Sequence, residues 1–198
     1  MLRDNRGVTL LELLLGTAVS LIVLGVAIAL FASIHHATET GIQRYLDKSA
    51  EDAVMNLLSA ELSDATAAVR HAALNELRYS NGSAARSLVF DPGAKTLTLY
   101  EFSEGTPPQA KLANLKNTSI SLADTPELYT NGRTFPARVT AVAFTDEAGD
   151  PLPDGMPVGG TLIRIEVAFE QNEVKINGIR VPVIRTAETM VKLFDDTV

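Results

Sequence analysis

Apolar and polar positions divide the chain into three stretches. From Val8 to Ile34 the sequence is apolar on every side, with Glu12 as its one ionisable residue. Past the histidines at 35 and 36 the pattern becomes one-sided: Ile42, Leu46, Ala50, Val54, Leu57, Leu58, Leu62 and Ala65 recur every three or four positions. Asp47, Lys48, Glu51, Asp52 and Asp64 stand between them. That periodicity is that of an amphipathic helix with one face on a core. The simplest reading is one long helix from Val8 to about Ala67. Gly41 is its weak point, at about 1 kcal/mol relative to alanine. A coiled coil is the rival reading, but no heptad is sustained with matched flanking charges.

After the helix the period shortens to two. Ser87–Asp91 and Lys95–Phe102 alternate around the turn sequence Asp91-Pro92-Gly93-Ala94. Ser119–Leu122 reads as a short strand, and Arg138–Asp146 and Thr161–Gln171 as longer ones. Val174–Ile176 and Ile179–Ile184 flank Asn177-Gly178, a strong hairpin signal. Pro182 assigns that ribbon to an edge or a bulge, and Thr186–Phe194 follows as a last strand. The alanine- and leucine-rich stretch Ala68–Gly82 reads as a helical continuation or second helix, then a loop. Gly105–Ala110, Asp124–Pro136 and Glu147–Gly160 have loop composition. A long helix followed by antiparallel strands predicts an α+β fold. The expected organisation is a leader at 1–7, a membrane helix at 8–34, its amphipathic continuation at 35–67 and a β-rich head at 68–198.

The apolar run sets the next constraint. Roughly 27 residues of helix reach about 40 Å, more than the roughly 30 Å of a bilayer core. A cleaved secretory signal is the alternative, but it has a shorter apolar region and a small-residue cleavage site, neither of which this run shows. Arg3 and Arg6 outweigh Asp4 before the run, which predicts a cytoplasmic N-terminus and a head outside the cytoplasm. Gly16 with Ser20, and Gly25 with Ala29, are small pairs at the spacing that lets helices approach closely in lipid. A carboxylate inside such a run is costly and usually functional. The bland reading is that Glu12 reaches back to headgroup water.

The segment Gly7-Val8-Thr9-Leu10-Leu11-Glu12 resembles the prepilin signal of type IV pilins and pseudopilins. Where that signal has phenylalanine or methionine after the glycine, this chain has Val8. The resemblance implies cleavage between Gly7 and Val8 by a prepilin peptidase and N-methylation of Val8. It also implies assembly through Glu12, Thr9, Gly16 and Gly25, with Glu12 paired to a neighbour's free N-terminus. Pairing makes a buried charge tolerable, whereas an unpaired one is strongly penalised. Leu57-Leu58-Ser59-Ala60-Glu61-Leu62-Ser63-Asp64-Ala65 is similar to the helix end of the larger minor subunits, the J-type pseudopilins and W-type minor pilins.

Composition narrows the chemistry. The formal charge is −7, and loss of Arg3, Asp4 and Arg6 with a leader makes it one unit more negative. Such a head lacks the clustered Lys/Arg footprint of nucleic-acid binding. There is no cysteine, so packing alone must hold the head. His35, His36 and His71 have no partner at metal-ligand spacing and read as solvated. No nucleophile elbow or phosphate loop is present, and no enzymatic activity is expected. The candidate cation ligands are Asp146, Asp150 and Asp154, near Glu147, Gly149 and Gly155, with the hard oxygen chemistry calcium takes; some pseudopilins bind calcium in their heads. No other cofactor is implied.

The sequence thus predicts a minor pilin or pseudopilin of the bacterial inner membrane. Its expected partners are other pilins or pseudopilins, in a pilus, a type II secretion filament or a competence apparatus. The alternative is a single-helix anchored binding or adhesin domain that does not polymerise.

Overall fold

A computed structural model of the chain describes residues 10–81, 84–102, 115–176 and 179–194, with the backbone alone over 172–176 and 179–181. Two compact units result, Met1–Tyr45 and Leu46–Val198. Helix α1 runs Leu10–Ser63. In the first unit its apolar side chains, Leu11, Leu15, Ile22 and Phe31 among them, are exposed. The helix is long and apolar enough to cross a membrane. Gly7, Val8, Thr9 and the expected leader lie outside the described residues.

In the second unit the helix buries Val54, Leu58 and Leu62, one stripe at four-residue spacing, with Glu51 one turn earlier. Ile42 and Leu46, expected on the packed face, are exposed instead. The buried stripe of the helix therefore begins near Glu51, later than the periodicity predicts. The helix also stops at Ser63 rather than near Ala67. The Thr66 N–H donates to the Ser80 carbonyl, and the Ala65 carbonyl accepts from Phe194 N–H. Sheet partners thus take the backbone groups that another helical turn would need.

The strands are β1 (Ala67–His71), β2 (Glu76–Ser80), β3 (Ala85–Asp91), β4 (Thr96–Phe102), β5 (Tyr129–Thr134), β6 (Val139–Thr145), β7 (Pro157–Val158), β8 (Leu162–Ile176) and β9 (Ile179–Lys192). They form two sheets, ordered β5-β4-β3-β2-β1-β7 and β6-β8-β9. Every strand pairing is antiparallel. With α1 before them this is an α+β fold.

Both sheets share one core with the helix. Leu77, Tyr79, Leu88, Leu97 and Leu99 come from the larger sheet, and Val139, Phe144, Ile163, Ile165, Val167 and Phe169 from the smaller. The opposite face of the larger sheet carries a second cluster, Val69, Ala85, Phe102, Leu115, Ile120 and Tyr129. That cluster is completed by segment 115–128, which crosses the face without joining the sheet.

Several sequence expectations hold locally. Asp91 Oδ1 accepts from the Gly93 and Ala94 N–H groups and closes the β3–β4 turn. Pro182 lies on the edge strand β9, where the register shifts between Gln171 and Val174 on β8. Strands β8 and β9 stop and start on either side of Asn177-Gly178, which itself lies outside the described residues, as does Gly105–Ala110.

Three readings are corrected. The stretch Ala68–Gly82, described as far as Asn81, is not an α-helix there: it supplies β1, a 3-10 turn at Ala72–Leu74 and β2, with Asn75 in the left-handed region at φ 51°. Burial on both faces of β2 overrides the helical propensity of alanine and leucine. Ser119–Leu122 is not a strand, because Asn117 Oδ1 accepts from Ser119 N–H and the Ser121 carbonyl accepts from Thr125 N–H, folding it into turns. Asp124–Pro136, expected as loop, contains β5; at a sheet edge with exposed side chains a strand needs no apolar alternation.

Candidate functional site

The exposed helix is the first candidate surface. Within Leu10–Ile34 the one ionisable residue is Glu12. At about 100° per residue, Glu12, Gly16 and Ser20 fall on one side of α1, and Gly25 with Ala29 falls on the other. Gly16 and Gly25 therefore lie on opposite sides of the helix; nine residues separate them by about 180°. Apart from the adjoining helix backbone, a Cβ at either glycine would meet no atom of the described residues within 4 Å. Among the described residues, no contact requires Gly16 or Gly25 to be small. His35 and His36 are exposed on the same helix, and His35 Nε2 lies 3.3 Å from Glu39 one turn on.

The second candidate is a buried polar cluster on the outer face of the larger sheet, and sequence reading missed it. Glu76 and Arg78, two apart on β2, project to the same side. The Arg78 guanidinium donates from Nε and Nη2 to the two Glu76 carboxylate oxygens at 2.7 and 2.9 Å. Ser87 Oγ and Tyr129 OH also donate to Glu76 Oε1. Arg78 Nη1 and Nη2 reach the carbonyls of Asn117 and Ile120, and the guanidinium carbon sits 5.3 Å from the Phe102 ring centre. Arg78 is fully buried and Glu76 nearly so.

A buried pair of this kind is tolerable because its lone pairs and protons are satisfied. Burial alone would lower the Arg78 pKa, but the Glu76 hydrogen bond and charge more than offset it and hold it above its ordinary value. Burial, reinforced by Glu76, pushes the Tyr129 phenol up as well.

His71 belongs to this face. It was expected to be solvated, but it is buried on β1 and its Nε2 lies 2.6 Å from the Leu115 carbonyl, to which it must donate. The correction follows from the strand: β1 turns position 71 toward segment 115–128. That segment is thus held largely through its own carbonyls, by His71 and Arg78. A cavity of about 50 Å³ beside the cluster, lined by Arg70, His71, Asn75 and Phe90 among others, has room for a water or two.

The acidic loop does not assemble as a cation site. Asp146 Oδ1 accepts from the Asp150 N–H, and the Asp146 N–H donates to the Asp150 carbonyl. Asp154 Oδ1 instead accepts from Ala72 N–H at 2.7 Å. The carboxylates of Asp146 and Asp154 thus accept from backbone N–H groups in different segments, Asp150 and Ala72. Among the described residues no group of three or more His, Cys, Asp or Glu is placed to hold a metal ion. No family model, curated protein or solved structure matches the chain.

Proposed function

We propose that the chain is a minor subunit of a type IV pilin-like filament, a minor pilin or pseudopilin that joins or primes a pilus or a type II secretion-like polymer. A prepilin peptidase would cleave it between Gly7 and Val8 and the new N-terminus on Val8 would be methylated. Neighbouring subunits in the inner membrane would pack along α1, with Glu12 paired to a neighbour's N-terminus. The head would lie outside the cytoplasm and act by binding other pilins or pseudopilins, with no catalytic role, no nucleic-acid contact and no resident cofactor.

The observation that carries this reading is Glu12, five residues after Gly7 and alone in an otherwise apolar stretch. Two structural facts support it. The helix is long and apolar enough to cross a membrane and leaves its apolar side chains exposed. Gly16 and Gly25 stand on opposite sides of it, and among the described residues no contact requires either to be small. A subunit inside a polymer needs two contact faces, whereas an anchor needs none.

Mass analysis of the membrane-extracted protein tests the reading. The expected N-terminus is Val8, carrying one added methyl group. An N-terminus at Met1, or well beyond Val8, replaces the filament subunit with the anchored binding domain. Glu12→Val is expected to leave the protein in the membrane and to abolish its entry into filaments or tip complexes.

A further inference from the structure

The smaller sheet ends on a long free edge. Among the described residues strand β9 pairs with β8 alone, and no described strand joins its outer side. Over Pro182–Lys192 the backbone has no hydrogen-bond partner outside that pairing among the described residues. Open edges of this length are templates for another strand, and proteins usually blunt them. Here the edge also gathers apolar surface. Beyond α1, the large apolar side chains that stand exposed among the described residues are Met156, Ile184, Met190 and Phe194. Ile184 and Met190 lie on β9, and Phe194 follows two residues after its end.

We propose that β9 is a docking edge for a second copy of this chain, which adds its own β9 antiparallel to form one continuous sheet across two heads. The second copy is favoured by self-complementarity. The register of greatest overlap for Pro182–Lys192 is centred on Ala187. It sets Ile184, 61 % exposed, opposite the second copy's Met190, 49 % exposed, and the reverse. The same register sets Arg185 against Thr189, Thr186 against Glu188 and Lys192 against Pro182. No like charges face each other directly, which would otherwise destabilise a cross-strand pair. Shifting the centre to Glu188 opposes two carboxylates. The inference is independent of the filament reading and stands or falls whatever the N-terminus proves to be.

The chain has no cysteine, so introduced thiols report alone. In the full chain, extracted in detergent and mildly oxidised, Ile184→Cys/Met190→Cys is expected to give covalent dimers. Directly opposed residues have Cβ atoms about 4.5–5.5 Å apart, near enough for a disulfide after small adjustment. Each single variant is expected to stay monomeric, because equivalent positions are six residues, or about 20 Å, apart along the strand. Ala187→Cys, on the two-fold axis, is expected to cross-link alone. Adding Ile184→Lys/Met190→Lys, both at exposed positions that leave the fold intact, should lower that yield at least tenfold. A double-cysteine variant that remains monomeric, single variants that cross-link as readily as the double, or an Ala187→Cys yield indifferent to the lysines would overturn the proposal. Capture of a different protein at β9 in place of a second copy would overturn it too.

Discussion

Two buried phenols in the head should respond in opposite ways to loss of a hydroxyl. Tyr79 is in the main core and its OH has no hydrogen-bond partner among the described residues. Tyr129 OH donates to Glu76. Tyr79→Phe is therefore expected to leave stability unchanged or raise it by about 1 kcal/mol, since a buried unpaired hydroxyl is a cost. Tyr129→Phe should lower it by roughly 1–3 kcal/mol, because it also strips a donor from a buried carboxylate. Chemical denaturation of the two variants separates these outcomes. Burial holds both phenols above their ordinary pKa. The stability linked to them is then fully present below about pH 10, the unfolded phenol's value, and is lost as pH rises toward the folded value. The denaturation midpoint should fall above about pH 10, and less steeply in Tyr79→Phe. Glu170 has the opposite sign. A hydrogen bond from Lys95, with the charges of Arg138 and Lys95, holds its carboxyl below the ordinary value. Its contribution is present above about pH 4.3 and is lost as acid is added.

At the level of elements, the two polar groups on β2 fasten a segment that has almost no regular structure of its own. Arg78→Met leaves Glu76 buried without its cation, and breaking such a pair costs roughly 3–5 kcal/mol. Segment 115–128 should loosen first, since Arg78 holds two of its carbonyls. Hydrogen exchange that rises at Leu115–Leu128 before it rises in β3 or β4 would show this. Leu58→Ala, in the middle of the buried helix stripe, should cost roughly 2–5 kcal/mol and unfold sheets and helix end together. Both arguments bear on what the sequence disclosed. The stripe Val54, Leu58, Leu62 was legible because its period is that of a helix. The β3–β4 turn was legible because Asp91, Pro92 and Gly93 carry local turn chemistry. Strand β2 was not, although Glu76-Leu77-Arg78-Tyr79-Ser80 alternates. Its neighbours are good helix formers, and its polar face is buried by residues 39–53 positions away. Nothing local announces that Glu76 and Arg78 will be covered, so the cluster they build stayed hidden. His71 was misread for the same reason.

For the molecule as a whole, the disposition of small residues on α1 separates a polymer from a receptor. Gly16 and Gly25 point to opposite sides, and among the described residues no contact requires either to be small. In a membrane, helix association depends on close approach at such residues. A single-pass receptor that dimerises uses one of these sides, and a monomeric anchor uses neither. A subunit with neighbours before and after it uses both. Positions beside the glycines can report this without altering them. Leu21 lies one turn before Gly25, and Val23 lies within about 20° of Gly16 around the axis; both are exposed. A photoreactive residue placed at Leu21 or at Val23 in the producing cell should capture neighbouring chains from either position with comparable yield. Glu12→Val should abolish both sets of adducts, because in the proposed filament entry of the next helix depends on pairing that carboxylate. Adducts from one position only would mean a one-sided contact, and adducts that survive Glu12→Val would mean helix contact without the register that the carboxylate is proposed to set. Gly16→Leu and Gly25→Leu should each reduce capture while leaving the melting of the head unchanged, since a Cβ at either position meets no atom of the described residues beyond the adjoining helix backbone.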